Sequence, residues 1–162
     1  MSSFNRRSIL LLPLALVGCG FTPVYGPNGP AQGLQGSIRV ADPSDKNAFD
    51  LVERLEERLG RPNADRFDLT YTIKTEPFGV GITPDNAITR YNLTGKIDWQ
   101  LTERATGTRM TGGTVDSFTS YSATGSTVAG LAAEEDAYLR LMRLLADQIV
   151  SRLLATSGAW EK

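Results

Sequence analysis

Cys19 is the only cysteine of the chain, and its setting predicts a specific chemistry for its thiol. It follows an apolar run over residues 9–17, which is itself preceded by the basic pair Arg6 and Arg7. A basic start, a short apolar core and small residues before a cut are typical of a secretory signal peptide. A cysteine in place of the final small residue predicts that its sulfur is acylated.

Residues 16–19 resemble a bacterial lipobox, with the pattern Leu-x-Gly-Cys. In such a motif the chain is cut just before the acylated cysteine, so residues 1–18 form a predicted lipoprotein signal peptide. The apolar run contains Pro13 and is well short of the roughly 20 residues that span a bilayer. Arg6 and Arg7 also resemble a twin-arginine export signal, and both export routes stay open.

Composition limits the classes of partner. Removing residues 1–18 deletes Arg6 and Arg7 and no acid, so 17 basic and 18 acidic residues become 15 and 18. A mature chain with a formal charge near −3 and no Lys/Arg-rich block is not expected to bind nucleic acid. Without a second cysteine the mature chain has no intramolecular disulfide, and about 120 residues of ordinary apolar content can supply a core instead.

The segment after the predicted anchor is rich in glycine and proline, including Pro23, Pro27 and Pro30. It offers little to bury, so residues 19–36 are predicted to be an acylated cysteine followed by a flexible tether. A single folded domain is predicted over residues 37–157. Residues 158–162, which follow a helix stop expected at Ser157 and Gly158, are predicted to be a loose tail.

Two helical and four extended segments are predicted within the domain. Apolar residues at spacings of three and four give an early helix, capped by Ser44 or Asp45 and ended by Gly60 and Pro62, with Ala48, Val52, Leu55 and Leu59 on one face. A late helix follows Ser126 or Thr127. Strands are predicted around residues 37–40, 67–74, 90–101 and 109–121. Gly112 and Gly113 predict a bulge or bend in the last strand.

The resulting fold class is α+β. The predicted order is β-α-β-β-β-α, in a two-layer sandwich with both helices on one face of a four-stranded sheet. The other face of that sheet is then polar and carries, among others, Thr72 and Thr94.

One irregularity marks a candidate contact segment. Apolar positions of the second strand are odd-numbered up to Ile73, whereas those after Pro77 are even-numbered: Phe78, Val80 and Ile82. Because proline removes a ladder donor, a bulge or break near Pro77 is predicted, with these three side chains in a loop beyond the end of the sheet. Such a loop either folds back onto the domain or contacts a partner.

At this point the chain resembles the LptE family, which partners the outer-membrane lipopolysaccharide translocon. The resemblance is carried by residues 18–26, Gly-Cys-Gly-Phe-Thr-Pro-Val-Tyr-Gly, and more loosely by Tyr91, residues 115–118 and residues 132–136. It implies a non-enzymatic outer-membrane lipoprotein that plugs the LptD barrel, assists its assembly and contacts lipopolysaccharide. Its domain would lie on the periplasmic side of the membrane or in the barrel lumen, and Phe78, Val80, Ile82, Thr72 and Thr94 become candidate barrel contacts.

Part of the resemblance is missing. The family implies lipopolysaccharide contacts through basic residues near the loops before the third strand and the last helix, but residues 76–89 and 122–138 contain no Lys or Arg. Lipopolysaccharide therefore remains a second partner with no residue assigned to it.

Enzymatic function is not expected. The chain has no histidine, which removes histidine-based nucleophile systems and histidine metal sites, and no metal or cofactor is predicted. The alternative to a barrel plug is an anchored periplasmic module that binds peptidoglycan or acts as a pilot for another outer-membrane complex.

Overall fold

The computed structural model describes Gly26, Gly29 and residues 31–160. Cys19 and the predicted signal peptide lie outside these described residues. The chain forms four strands and two helices, in this order: β1 (Ile38–Val40), α1 (Lys46–Leu59), β2 (Phe67–Ile82), β3 (Ile88–Glu103), β4 (Arg109–Ser122) and α2 (Thr127–Trp160).

The strands form one mixed sheet with the order β1-β2-β3-β4. β1 is parallel to β2 over three residue pairs, whereas β2–β3 and β3–β4 are long antiparallel pairs. Odd-numbered residues of β3, such as Leu93, Ile97 and Leu101, are buried, while the even-numbered residues between them are exposed. The predicted α+β class and the β-α-β-β-β-α order are confirmed.

α1 begins and ends at the residues expected from its sequence. The Asp45 carboxylate accepts a 2.8 Å hydrogen bond from the backbone N–H of Ala48, which caps the N-terminus. Gly60 ends the helix with a φ of 79°, a conformation that costs glycine little. The predicted apolar face of Ala48, Val52, Leu55 and Leu59 is buried, so it fixes the side on which α1 packs.

α2 starts as predicted but continues past its predicted end. Ser126 caps it by accepting from the N–H of Ala129 at 3.3 Å. The expected stop at Ser157 and Gly158 is wrong, because the helix runs on to Trp160. The Trp160 ring packs edge-on against Phe67 with 5.4 Å between centroids, and this apolar contact offsets the ~1 kcal/mol that a helical glycine costs. Residues 158–160 are therefore not a loose tail.

The last part of the predicted tether is also packed. Ala31 and Leu34 are fully buried in the core, and the Ser37 hydroxyl donates to the Leu34 carbonyl at 2.8 Å. The N–H of Gly36 donates to the carbonyl of Leu59, which joins this segment to the end of α1. Flexibility is thus the wrong description for residues 31–36, because two apolar side chains suffice to hold a glycine-rich turn in place.

α2 approaches the sheet closely over Gly95, the small residue between Leu93 and Ile97. A Cβ atom at Gly95 would lie 2.9 Å from Leu141 and 3.0 Å from Leu145. The bulge predicted at Gly112 and Gly113 is wrong, since both pair regularly with β3, and the irregularity lies one step earlier, between the Leu101 and Thr102 pairings. Gly95, Gly112 and Gly113 leave room for neighbouring atoms to approach the strands closely.

Candidate interaction surface

β2 does not break at Pro77. Pro77 pairs with Leu93 and Phe78 with Asn92, so the strand continues to Ile82, and its irregularity is a bulge between Gly79 and Ile82. The predicted loop is therefore wrong: Phe78, Val80 and Ile82 belong to β2. Proline is accommodated because its ring nitrogen faces the free edge of β2, where no other strand of the described residues needs a donor.

These three side chains are nevertheless exposed. Phe78 is 51%, Val80 43% and Ile82 64% accessible to solvent. Phe78 pairs with Asn92, whose neighbour Leu93 is buried toward the helices. Phe78 therefore stands on the face of the sheet opposite the helices, which we call the outer face.

Thr72 and Thr94 lie on the outer face as well. Thr72 pairs with Asp98 and borders a shallow cavity of about 390 Å³ that also includes Gln100 and Arg109. Thr94 donates from its hydroxyl to the Glu76 carbonyl at 3.0 Å and borders a second cavity of about 360 Å³. The fold therefore gathers Thr72, Thr94 and Phe78 on one uncovered, mainly polar surface.

Phe118 is an apolar outer-face residue that was not identified from the sequence. It pairs with Thr94, borders the second cavity and is 63% accessible. Val115 and Thr119 of the same strand are buried toward the helices, so an even-numbered phenylalanine must face away from them. The even number of Phe118, against the odd numbers of the buried Val115 and Thr119, was a sequence signal from which its exposure could have been predicted.

A second group of exposed apolar side chains lies where the β2–β3 hairpin, the end of β4 and the start of α2 meet. We call this the distal end, and its exposed members are Val80, Ile82, Ile88, Val128 and Leu131. Beside them Tyr91 stacks on Tyr121, with 5.3 Å between ring centroids, at a cavity of about 530 Å³. Burial, with a smaller contribution from Glu134, raises the pKa of Tyr121 above its ordinary value.

The opposite end, formed by β1, α1, the β3–β4 turn with the adjacent start of β2, and the second half of α2, carries several charge pairs, and we call it the proximal end. Arg54 of α1 reaches Asp147 of α2 at 3.0 Å, and Arg58 approaches the same carboxylate at 3.7 Å. Hydrogen bonds to Asp147 and Glu57 raise the pKa of the Arg54 guanidinium further above its usual value.

Neither helix of the described residues has the length and apolar composition needed to span a membrane.

The family model of LptE, described as lipopolysaccharide-assembly, matches residues 36–153. The chain belongs to the LptE family. The match runs from the turn before β1 into the last third of α2.

Solved structures show the same fold as this LptE-family chain. A protein of Caulobacter crescentus CB15 that is predicted to be a lipoprotein has a TM-score of 0.68 at 21% identity, covering 82% of this chain and 98% of that one. The rare lipoprotein B of Shewanella oneidensis has a TM-score of 0.58 at 16% identity, covering 78% and 98%. An uncharacterized lipoprotein B of Nitrosomonas europaea has 0.55 at 15%, covering 86% and 94%. A search of curated proteins finds no match.

Within this LptE-family fold, the five predicted contact residues divide into two sets. Thr72, Thr94 and Phe78 share the outer face, whereas Val80 and Ile82 lie at the bulged distal end. Cys19, the predicted lipidation site, lies outside the described residues. The two sets adjoin along β2, so a single partner can contact both.

Proposed function

We propose that this LptE-family protein is an outer-membrane lipoprotein, anchored through acylated Cys19, that plugs an LptD-like β-barrel and assists its assembly for lipopolysaccharide transport. Its role is structural rather than enzymatic. The family match supports the lipopolysaccharide-assembly part of this proposal. The anchor is supported by the lipobox pattern at residues 16–19.

The observation that carries the plug role is the outer face. Three strands of 14 to 16 residues present polar side chains there, and neither helix covers them. A transmembrane barrel has a polar lumen, so a polar sheet face is a suitable surface to lie against its inner wall. Phe78 and Phe118 on the same face add apolar area, and exposed apolar groups within a polar surround are typical of contact sites.

The apolar distal end supports assembly contacts. Val80, Ile82 and Ile88 flank the β2–β3 turn, and Val128 and Leu131 begin α2. Together they form an apolar tip around a turn whose one charged residue is Asp85, on a protein whose proximal end is rich in ion pairs. We propose that this tip contacts apolar side chains on lumenal loops of the barrel, and we assign no phosphate-binding residue to it.

The proposal is tested with photocrosslinking amino acids placed in the full-length protein in cells. Crosslinkers at Phe78, Phe118 and Ile82 should capture a large outer-membrane barrel, whereas one at Glu53, an exposed residue of α1, should not. Cys19→Ala should lose incorporation of labelled palmitate and also the crosslinks.

Two results would argue against the proposal. Equal capture of the barrel from Glu53 would show that the contact is not confined to the outer face and distal end. A folded, lipidated protein that never crosslinks to a barrel from any of these positions would favour a peptidoglycan-binding or pilot role.

A further inference from the structure

The two edges of the sheet differ in how far other elements of the chain cover their backbone groups. At the β4 edge, Arg140, Gln148 and Arg152 of α2 donate side-chain hydrogen bonds to the carbonyls of Ser120, Asp116 and Thr114, respectively. The three donors are spaced by eight and four residues, so they lie along one side of α2. Unpaired edge carbonyls are a template for another strand, and here α2 occupies them.

The other edge belongs to β2 and is open for most of its length. β1 ends at Val40, so its pairing with β2 ends at Leu69. In the described part of the chain no strand lies beside β2 beyond that residue.

Hydrogen bonds show which backbone groups face this edge. The Leu69 carbonyl accepts from Ala41 of the β1 segment, and the Phe67 N–H donates to Ser37. The Glu76 carbonyl, by contrast, accepts from the Thr94 hydroxyl of β3. Since successive residues of a strand direct their N–H and C=O groups to opposite sides, the odd-numbered residues of β2 face the free edge until the bulge.

Two features limit the length of that free edge. Pro77 has no N–H to offer, and the bulge between Gly79 and Ile82 disturbs the register beyond it. Regular donors and acceptors therefore remain at residues 71–75, followed by the carbonyl of Pro77 and by Gly79, the last residue in register before the bulge. A strand of about five residues matches this stretch.

Charge on the outer face indicates what such a strand carries. Lys74 lies directly opposite Lys96, and neither forms an ion pair within the described residues. Like charges directly opposite each other are unfavourable, whereas opposite charges are favourable. A strand added at the free edge would place one side chain beside Lys74, and a carboxylate is the side chain that suits this position.

The helix side of the same edge favours apolar neighbours. Tyr71 and Ile73 are partly buried there and pack against the margin of the core. Side chains of an added strand that flank its carboxylate point to this side, because successive residues alternate between faces. Apolar residues at those two positions would extend the core beyond Ile73.

We propose that the free edge of β2 at residues 71–75 binds an extended segment of a partner polypeptide in which a carboxylate residue stands between two apolar residues. The segment pairs with β2 past the point where β1 ends and so adds a fifth strand to the sheet, by the strand-addition mode of peptide recognition. Main-chain hydrogen bonds hold it, and Lys74 selects its central residue. This inference does not depend on the identity of the partner as a barrel.

The test uses ¹⁵N-labelled full-length lipidated protein in detergent and amide exchange measured by NMR. Before any peptide is added, the amides of Ile73 and Thr75 should exchange at least tenfold faster than those of Thr72 and Lys74, which face β3. A capped peptide Ser-Thr-Val-Glu-Val-Thr-Ser at millimolar concentration should then slow Ile73 and Thr75 at least fivefold. The same peptide with lysine for glutamate should have less than half that effect.

Variants separate edge pairing from loss of fold. Thr75→Pro removes an N–H that faces the free edge and should abolish the peptide effect, while Thr75→Ala keeps it. Lys74→Glu should reverse the preference between the two peptides. Exchange at β4 residues such as Val115, unchanged in all variants, verifies the fold.

Several outcomes would overturn the proposal. These are equal responses to both peptides in the unmodified protein, no response at millimolar concentration, or a response that survives Thr75→Pro. Protection of Ile73 that grows with protein concentration in the absence of peptide would also overturn it, since a second copy of this chain would then occupy the edge.

Discussion

The proximal and distal ends of this protein belong to one sheet but differ in their exposed side chains. At the proximal end, Arg54 and Arg58 meet Asp147, and Arg104 meets Asp65 at 2.8 Å, so charged groups find partners within the chain. At the distal end, exposed apolar side chains gather around the β2–β3 turn and the start of α2. The proximal end therefore stabilises the fold, while the distal end and the adjoining outer face remain available to a partner.

The largest expected effect comes from matched truncations at the two ends. Leu55→Ala removes a fully buried α1 side chain and should lower the free energy of unfolding by about 2–5 kcal/mol. Ile82→Ala at the distal end removes an exposed side chain and should change it by less than about 0.5 kcal/mol. Urea unfolding of both variants measures the difference, and similar losses would mean that the distal end is part of the core.

Substitutions at two glycines test the same comparison, with expected stability changes of intermediate size. Gly95→Val forces a side chain against Leu141 and Leu145 and should destabilise by about 1–3 kcal/mol. Gly130, near the start of α2, has no atom within 4 Å of a new Cβ, so Gly130→Ala should stabilise by about 0.4–1 kcal/mol. Thermal unfolding of the two variants tests this, and destabilisation by Gly130→Ala would show that the distal helix turn is packed.

The smallest expected effect is the alkaline behaviour of Tyr121. Burial raises its pKa in the folded state above the unfolded value of about 10. Its contribution to stability is therefore complete below pH 10 and is lost as the pH rises through the folded pKa. Stability should fall less steeply above pH 10 in Tyr121→Phe, as followed by urea unfolding at several pH values. If the free energy of unfolding falls equally steeply with pH in both proteins, the Tyr121 side chain is fully solvated.

Local patterns predicted most of the fold but less of the candidate surface. The α1 face, the Asp45 and Ser126 caps and the α+β order follow from spacing and residue type within a few turns of chain. Phe78 was predicted to lie in a loop that either folds back onto the domain or contacts a partner, whereas it is an exposed residue of β2. Phe118 was overlooked, although its even number in β4 sets it on the face opposite the buried Val115 and Thr119.

The sequence by itself determined where polarity alternates, where helices begin, and that its single cysteine follows a signal-peptide pattern. These properties depend on neighbours along the chain. Only the tertiary structure decided that Pro77 stays within β2, because the penalty for proline depends on whether its nitrogen faces a strand or a free edge. The burial of Ala31 and Leu34 and the contact of Trp160 with Phe67 likewise required distant partners. The same holds for the two edges of the sheet: α2 covers the carbonyls of β4, while β1 ends too early to cover β2.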